Sequence, residues 1–339
     1  MAKIRRFNIS HFKKVQKMIS SISPDEKISY SGTVCGGILD IFQDLMPLAL
    51  RKSPESYIVI NDNNDVKAFI TVEVTKGNRH KWFIKQLFLD KNSFDEGKQL
   101  IGYIVAKYGA LGADTFCVLI DENDETSAEL FSKRCGFRLC SREVVWHAPE
   151  FDLNTGYKWS DFCKLSNFEA KKVANLFNDA IAPHFRFSLE QDIDEFKSPI
   201  LKNPFKKYPE KFVLKNSDKS ILAYLEYHFV NQKDFLVDLI VTKPFEDEYL
   251  PILKAVISYL KNIVPNGNIF VLNRNYMTSA KCFEDIFHGY GFEKTQIKML
   301  LVKDFYKPLK SEEPIVNPAV IFNEITPAFM HGDSLQKSD

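Results

Sequence analysis

Two helix starts carry residues that bear on anion binding. The first reads Glu96-Gly97-Lys98-Gln99 and opens an apolar-periodic segment. A glycine there lets the backbone approach a ligand, and Lys98 adds positive charge to the helix dipole. The second reads Glu246-Asp247-Glu248. Three carboxylates suit the positive end of a helix without any ligand and repel a phosphate, so this segment reads as a self-capped structural helix. Stronger chemical signatures do not occur. The seven histidines form no H-E-x-x-H and no Cys/His cluster at metal spacing. There is no P-loop and no G-x-S-x-G. Cys135 and Cys140 flank a helix end and read as small core residues. Lys202, Lys206, Lys207 and Lys211, with Phe205 and Tyr208 among them, make the densest positive run. It suits RNA or an acidic partner, but a solvated loop is the simpler reading.

The elements that must position such groups occur twice. Tyr57–Ile60, a polar turn at Asn61–Asp65 and Val66–Val72 read as paired strands. Lys211–Leu214, Lys215–Lys219 and Ser220–Leu225 repeat the pattern. Third apolar runs follow at Trp82–Leu89 and Asp234–Val241. Each precedes a helical face, Leu100, Ile101, Ile104, Val105 and Tyr108 in one, Leu250, Leu253, Val256, Ile257 and Leu260 in the other. Strands at Thr115–Ile120 and Asn268–Leu272 come next. Short helices then end on Gly136-Phe137 and Gly291-Phe292, and closing strands follow at Glu143–Trp146 and Ile297–Val302. Each copy opens with a short strand and a capped helix, near Asn8–Ile19 and Ser166–Phe177.

The length of 339 residues suits two domains. Turn formers between Ala148 and Gly156 place the boundary, giving domains 1–148 and 157–305 and a Pro-containing tail 306–339. With 45% hydrophobic and 26% charged residues the chain reads as globular, with material for two cores. A net charge of +1 argues against a nucleic-acid partner. No apolar run reaches the length of a membrane span, and the N-terminus lacks a secretory signal. The six cysteines form no C-x-x-C pair, so reduced thiols in a cytoplasm are expected.

The duplicated order of elements, with Gly-Phe after the last helix of each copy, resembles the GCN5-related N-acetyltransferase (GNAT) superfamily in tandem form. The resemblance covers about residues 3–147 and 157–303, and Ala128, Phe131, Ser132, Gly136 and Phe137 carry its most specific spacing. It implies an α+β fold of two tandem domains, each a mixed, largely antiparallel sheet flanked by helices. It implies acetyl-CoA or another acyl-CoA as substrate and transfer of the acyl group to a small-molecule or peptide amine. The fourth strand of such a domain splays from the fifth, which puts the backbone of Leu87, Phe88 and Leu89 against the pantetheine arm and Gly97, Lys98 and Gln99 at the pyrophosphate. Glu96 departs from the Arg or Gln of the family loop, and the second copy has no loop glycine. The family's tyrosine acid is replaced by Ser132 and Phe287, which leaves Ser132 as a weaker substitute in the first copy.

Direct attack of an amine on a thioester also needs a base. The polar options on the cleft strands are Glu73, His80 and Gln86 in the first copy and Glu226, His228 and Asp238 in the second. Glu73 ranks first because it continues the alternation Phe69, Thr71. The expected function is an acyl-CoA-dependent N-acyltransferase with its site in the N-terminal copy. Two alternatives stay open: a non-catalytic tandem scaffold that uses the old cleft for binding, and Fem-like aminoacyl transfer from a charged tRNA.

Overall fold

Apolar segments buried on both faces, such as Glu55–Ile60 and Val66–Val74, form the strands of one sheet in this protein. The computed structural model describes residues 3–21, 54–75, 78, 80–91, 93–150, 156–199, 208–230 and 233–305. Lys202, Phe205, Lys206, Lys207 and the tail 306–339 lie outside them. The first half contributes β1 (Lys3–Arg6), α1 (Phe12–Ser21), β2 (Glu55–Ile60), β3 (Val66–Val74) and β4 (Lys81–Leu89). It continues with α2 (Phe94–Ala110), β5 (Thr115–Asp121), α3 (Glu125–Ala128) and β6 (Arg138–His147). The second half has β7 (Phe162–Lys164), α4 (Ala170–Ala180), α5 (Arg186–Leu189), α6 (Ile193–Phe196), β8 (Glu210–Lys215) and β9 (Ile221–Phe229). It ends with β10 (Phe235–Val241), α7 (Tyr249–Ile263), β11 (Ile269–Arg274), α8 (Ala280–Gly289) and β12 (Glu293–Asp304).

The repeat expected from the sequence is visible in the hairpins. Asn61 N–H bonds the Asp65 carbonyl at 3.0 Å, and Asn216 N–H bonds the Ser220 carbonyl at 2.9 Å. Both turns hold a left-handed residue, Asn64 and Lys219. The Gly-Phe helix ends also match. Gly136 and Gly291 take φ of 70° and 75°, where a side chain is strained. Phe137 N–H then bonds Phe131, and Phe292 N–H bonds Phe287, each at 2.9 Å. In the first copy α3 continues as a π-helical turn over Glu129–Arg134.

The strands run β1-β2-β3-β4-β5-β12-β6-β11-β10-β9-β8-β7. The closing strands are therefore exchanged. β5 of the first half pairs with β12 of the second, and β11 of the second pairs with β6 of the first. β12 and β6 pair with each other at the centre, antiparallel like the other two pairs. Chain order alone does not show this crossing. It builds shared cores. Leu301 of β12 is buried among Leu100, Phe116 and Phe131 of the first half. Val144 and Trp146 of β6 are buried among Leu253, Val271 and Phe287 of the second. On the opposite face α4 lays Val173 and Phe177 over a core that also holds Cys117 and Cys140. Burial pushes the Cys117 thiol up to about 12 and also raises the Cys140 thiol, against the pull of Arg138. Burial also raises the Cys135 thiol, and Cys135 packs partly buried on the first half's core.

One expectation changes. Lys211 is not part of a solvated patch: it is 9% exposed. Its Nζ donates to the Glu195 carbonyl at 2.7 Å and lies 3.8 Å from Glu226.

The exchange predicts joint unfolding. Leu301→Ala should cost about 2–5 kcal/mol. The loss should appear in a single urea transition, reported alike by Trp82 at the first core and by Trp146 and Trp159 at the second. A shift confined to Trp82 contradicts shared closure.

Candidate active site

The ladder between β4 and β5 stops early. Parallel pairing runs only from Lys81↔Thr115 to Ile84↔Val118, so Gln86–Leu89 pair with β3 alone. At this fork β4 carries a bulge. Thr71 faces Gln86 and Val72 faces Ile84, which leaves Lys85 as the extra residue. A bulge leaves that residue out of the ladder and re-aims its neighbours. Beyond the fork Leu87 and Phe88 bury their side chains in the cores on opposite faces, and Leu89 is half-buried. Only the backbone edge of these three is available to a ligand.

The start of α2 abuts the end of β4. A Cβ on Gly97 would lie 2.8 Å from Cδ2 of Leu89, so glycine permits the close approach. Ser93 at the N-cap makes no side-chain hydrogen bond to the helix. Orphan amides of the first turn are thus not capped by that residue. Lys98 and Gln99 are exposed next to them. Asp95 and Glu96 occupy the first turn and oppose an anion. Gly97 N–H is itself bonded to the Ser93 carbonyl at 3.0 Å, so the amides without a helical partner are those ahead of it.

The proton-transfer candidates of the first half separate. Glu73 lies one position to the closed side of the fork, facing Phe83, with Lys85 Nζ 3.5 Å from its carboxylate. Gln86 is buried in a neutral ladder: Ser56 and Thr71 hydroxyls lie 3.0 Å apart, and Thr71 donates to Gln86 Oε1 at 3.5 Å. His80 sits beyond the closed end, where its Nδ1 is 2.6 Å from the Gly112 carbonyl. Ser132 is half-buried in the π-helical turn.

The second fork lies between β10 and β11, where pairing covers only Phe235↔Ile269 to Val237↔Val271. Here the same places of the repeat are charged. Lys211, Glu226 and Asp238 stand in register where the first half has Ser56, Thr71 and Gln86. Arg274 bridges the gap. It donates from Nη1 to Asp238, and its Nε lies 3.5 Å from Glu143 of β6. Glu143 faces Lys298, which faces Asp121. Tyr224 donates to Glu226 at 2.6 Å. Burial pushes the Glu143 carboxyl above its ordinary range, against the pull of Arg274. Burial also works against the charge on Arg274, but Asp238 first among its neighbours more than offsets it, and the group is held well above its usual range. Burial lowers the His228 imidazole.

The sequence named Asp238, Glu226 and His228 but missed Arg274 and Glu143. The usable signal was a carboxylate in one closing strand and a lysine in the other, Glu143 and Lys298, each beside apolar neighbours. The expected self-capping of the second loop is corrected. Glu248 stands at the N-cap of α7 but makes no side-chain bond to the helix, and it engages Tyr157 instead. Among the described residues no group of carboxylates, cysteines and histidines could hold a metal ion.

Comparison with solved structures settles the fold. A tandem GNAT protein from the clavulanic acid biosynthesis pathway superposes with a TM-score of 0.59 at 11% identity, covering 90% of this chain and 98% of that one. The fold is that of tandem GCN5-related N-acetyltransferases. A GNAT protein of Sphaerobacter thermophilus gives a TM-score of 0.57 at 10% identity over 91% of this chain and 97% of its own. The N-myristoyltransferase of Saccharomyces cerevisiae, with bound myristoyl-CoA, gives 0.54 at 11% identity over 90% and 79%. No family model and no curated relative matches the chain.

The raised Glu143 pKa has a sign. The folded chain holds that proton more tightly than the unfolded chain, whose carboxyl titrates near 4.5. Wild-type stability should therefore fall, relative to Glu143→Gln, as pH rises from that value through the folded pKa. Urea midpoints of both proteins across about pH 4 to 8 check this. A difference that stays constant with pH contradicts the assignment.

Proposed function

We propose that this protein is an acyl-CoA-dependent N-acyltransferase whose working fork is the one between β4 and β5. The observation that carries the reading is the open edge of Lys85–Leu89, bulged at Lys85 and abutted by the glycine-containing start of α2. An extended pantetheine arm can pair with such an edge as an added strand. The orphan amides of α2, with Lys98 beside them, would take the pyrophosphate. Acyl-CoA supplies the activated thioester. No helix among the described residues is long and apolar enough to cross a membrane, and a small-molecule or peptide amine is the acceptor class we infer.

In this reading the chain's own groups hold and move protons. The acceptor arrives as an ammonium ion, and Glu73, fixed by Lys85 at the fork, takes its proton. The freed amine attacks the thioester carbon. The backbone amide left out of the ladder at the bulge is the donor at hand for the developing oxyanion. The C–S bond breaks, the nitrogen gives up its second proton as it becomes an amide, and a proton passes through Ser132 or solvent to the departing thiolate. Serine is a poor acid, so the reaction relies on thiolate being a good leaving group at neutral pH.

Titration calorimetry of the full chain with acetyl-CoA tests the reading. Wild type should bind. Gly97→Glu should abolish binding, and Lys98→Glu should weaken it about fivefold by reversing one exposed charge. Glu73→Gln should keep acetyl-CoA affinity and lower the turnover number about a hundredfold. No heat from wild type at millimolar acetyl-CoA removes this reading and favours the non-catalytic scaffold, for which the acidic first turn of α2 already speaks.

A further inference from the structure

A chain of aromatic rings in the first half ends on a carboxylate. Trp82 of β4 is half-buried and lies on Tyr108 of α2, with ring centroids 3.7 Å apart and planes 27° apart. The Tyr108 and Tyr57 hydroxyls are 2.9 Å apart, and both tyrosines are almost wholly buried. Tyr57 donates to Glu55 Oε2 at 2.6 Å. A phenol has one O–H. Tyr57 gives its own to Glu55, so Tyr108 is the donor between the two. The hydrogens point one way, from Tyr108 through Tyr57 to the carboxylate.

Two charges set the chemistry of this chain. Burial works to raise the Glu55 carboxyl, but the Tyr57 and Tyr108 hydroxyls, with Arg6 and Lys107, hold it below its ordinary range. It is a carboxylate at neutral pH and can take a proton. Lys107 Nζ donates to the Tyr57 oxygen and stands 4.5 Å from the centre of the Tyr57 ring and 5.2 Å from that of Tyr108. An ammonium over a ring repels positive charge on that ring. A tyrosine held there loses an electron only as its proton leaves, and the way out is Glu55.

The second half builds the same stack from other positions. Trp159, just ahead of β7, lies on Tyr259 of α7 at 3.5 Å with planes 5° apart. Burial, and then Tyr259 beside it, raises the Tyr227 hydroxyl of β9. The indole comes from β4 in one half and from the turn before β7 in the other, and Phe212 holds the place of Tyr57 in the repeat. A shared origin of the halves does not produce one arrangement from unmatched positions. The third tryptophan, Trp146, packs on Phe287 and His288, which are harder to oxidise than a phenol.

We propose that Trp82, Tyr108, Tyr57 and Glu55 form a radical sink that carries a one-electron oxidation from a half-buried indole into the core. A one-electron oxidant takes an electron from Trp82 and is reduced. Tyr108 gives an electron to the indole radical cation, which becomes indole again. The Tyr108 O–H bond breaks as its proton passes to the Tyr57 oxygen, and the Tyr57 proton passes to Glu55. The products are the reduced oxidant, a neutral phenoxyl radical at Tyr108 and a protonated Glu55. Burial of Tyr108 keeps that radical from coupling with another molecule. The relay uses no group of the acyl-transfer reading.

Pulse radiolysis of the full chain tests the relay, with the azide radical as the one-electron oxidant. A Trp159→Phe background silences the second stack. In it, phenoxyl absorption should grow as indolyl absorption decays, at a rate independent of protein concentration. Adding Trp82→Phe or Tyr108→Phe should remove that phase, and adding Glu55→Gln should slow it about a hundredfold. No such phase in the background overturns the proposal, and so does a phase that any of the three added substitutions leaves unchanged. Should a variant fail to fold, wild type decides the matter: the phase should be slower in D2O, and its absence or an equal rate in both solvents overturns the relay.

Discussion

The antiparallel pairing of β12 with β6 is the constraint on which the rest of this structure depends. Each half makes a sheet that lacks its last strand, and each receives that strand from the other. Leu301 fills the first core and Trp146 the second, both almost wholly buried. Neither strand can leave without exposing apolar surface in a half to which it does not belong, at roughly 25 cal/mol per Å². The exchange also carries polar groups across. Glu143 reaches Arg274 only because β6 lies beside β11, and Lys298 reaches Asp121 only because β12 lies beside β5.

The two forks follow from the same geometry and diverge in chemistry. In each half the parallel ladder stops after a few residues, and the strands run on without pairing to each other. The helix after β5 buries Phe131 in the first core, and the helix after β11 buries Phe283 and Phe287 in the second. The first fork adds a bulge at Lys85, which the continuous register of β10 with β9 does not repeat. One half therefore offers an irregular backbone edge beside a helix start. The other offers a regular edge crossed by an ion pair.

Much of the architecture was legible in the chain. β-branched and aromatic runs such as Val66–Val72 around polar turns located the hairpins, because a strand buried on both faces is written directly in side-chain type. Gly136 and Gly291 marked helix ends because the left-handed region admits few other residues. Partner choice was not legible. Glu143–Trp146 and Ile297–Val302 read as closing strands wherever they close, since a strand's pattern specifies its buried face and not its neighbour. Arg274 was invisible for the same reason: its two carboxylates come from β10 and, through the exchange, β6. At the first fork Gly97 was readable as a close approach, but the bulge at Lys85 is a matter of register that no single residue announces.

The charged band also invites an argument from cost. A buried ion pair pays desolvation that its attraction barely returns, so such pairs are weak evidence of stabilisation. Here the fold supplies its own control. At the same places of the repeat the first half uses Ser56, Thr71 and Gln86, a ladder of neutral hydrogen bonds that closes the same strands. The GNAT sheet therefore does not require Lys211, Glu226 and Asp238, nor an arginine to span the gap. Charged groups stand where neutral ones close the matching strands, so the pairing of the sheet alone does not account for them.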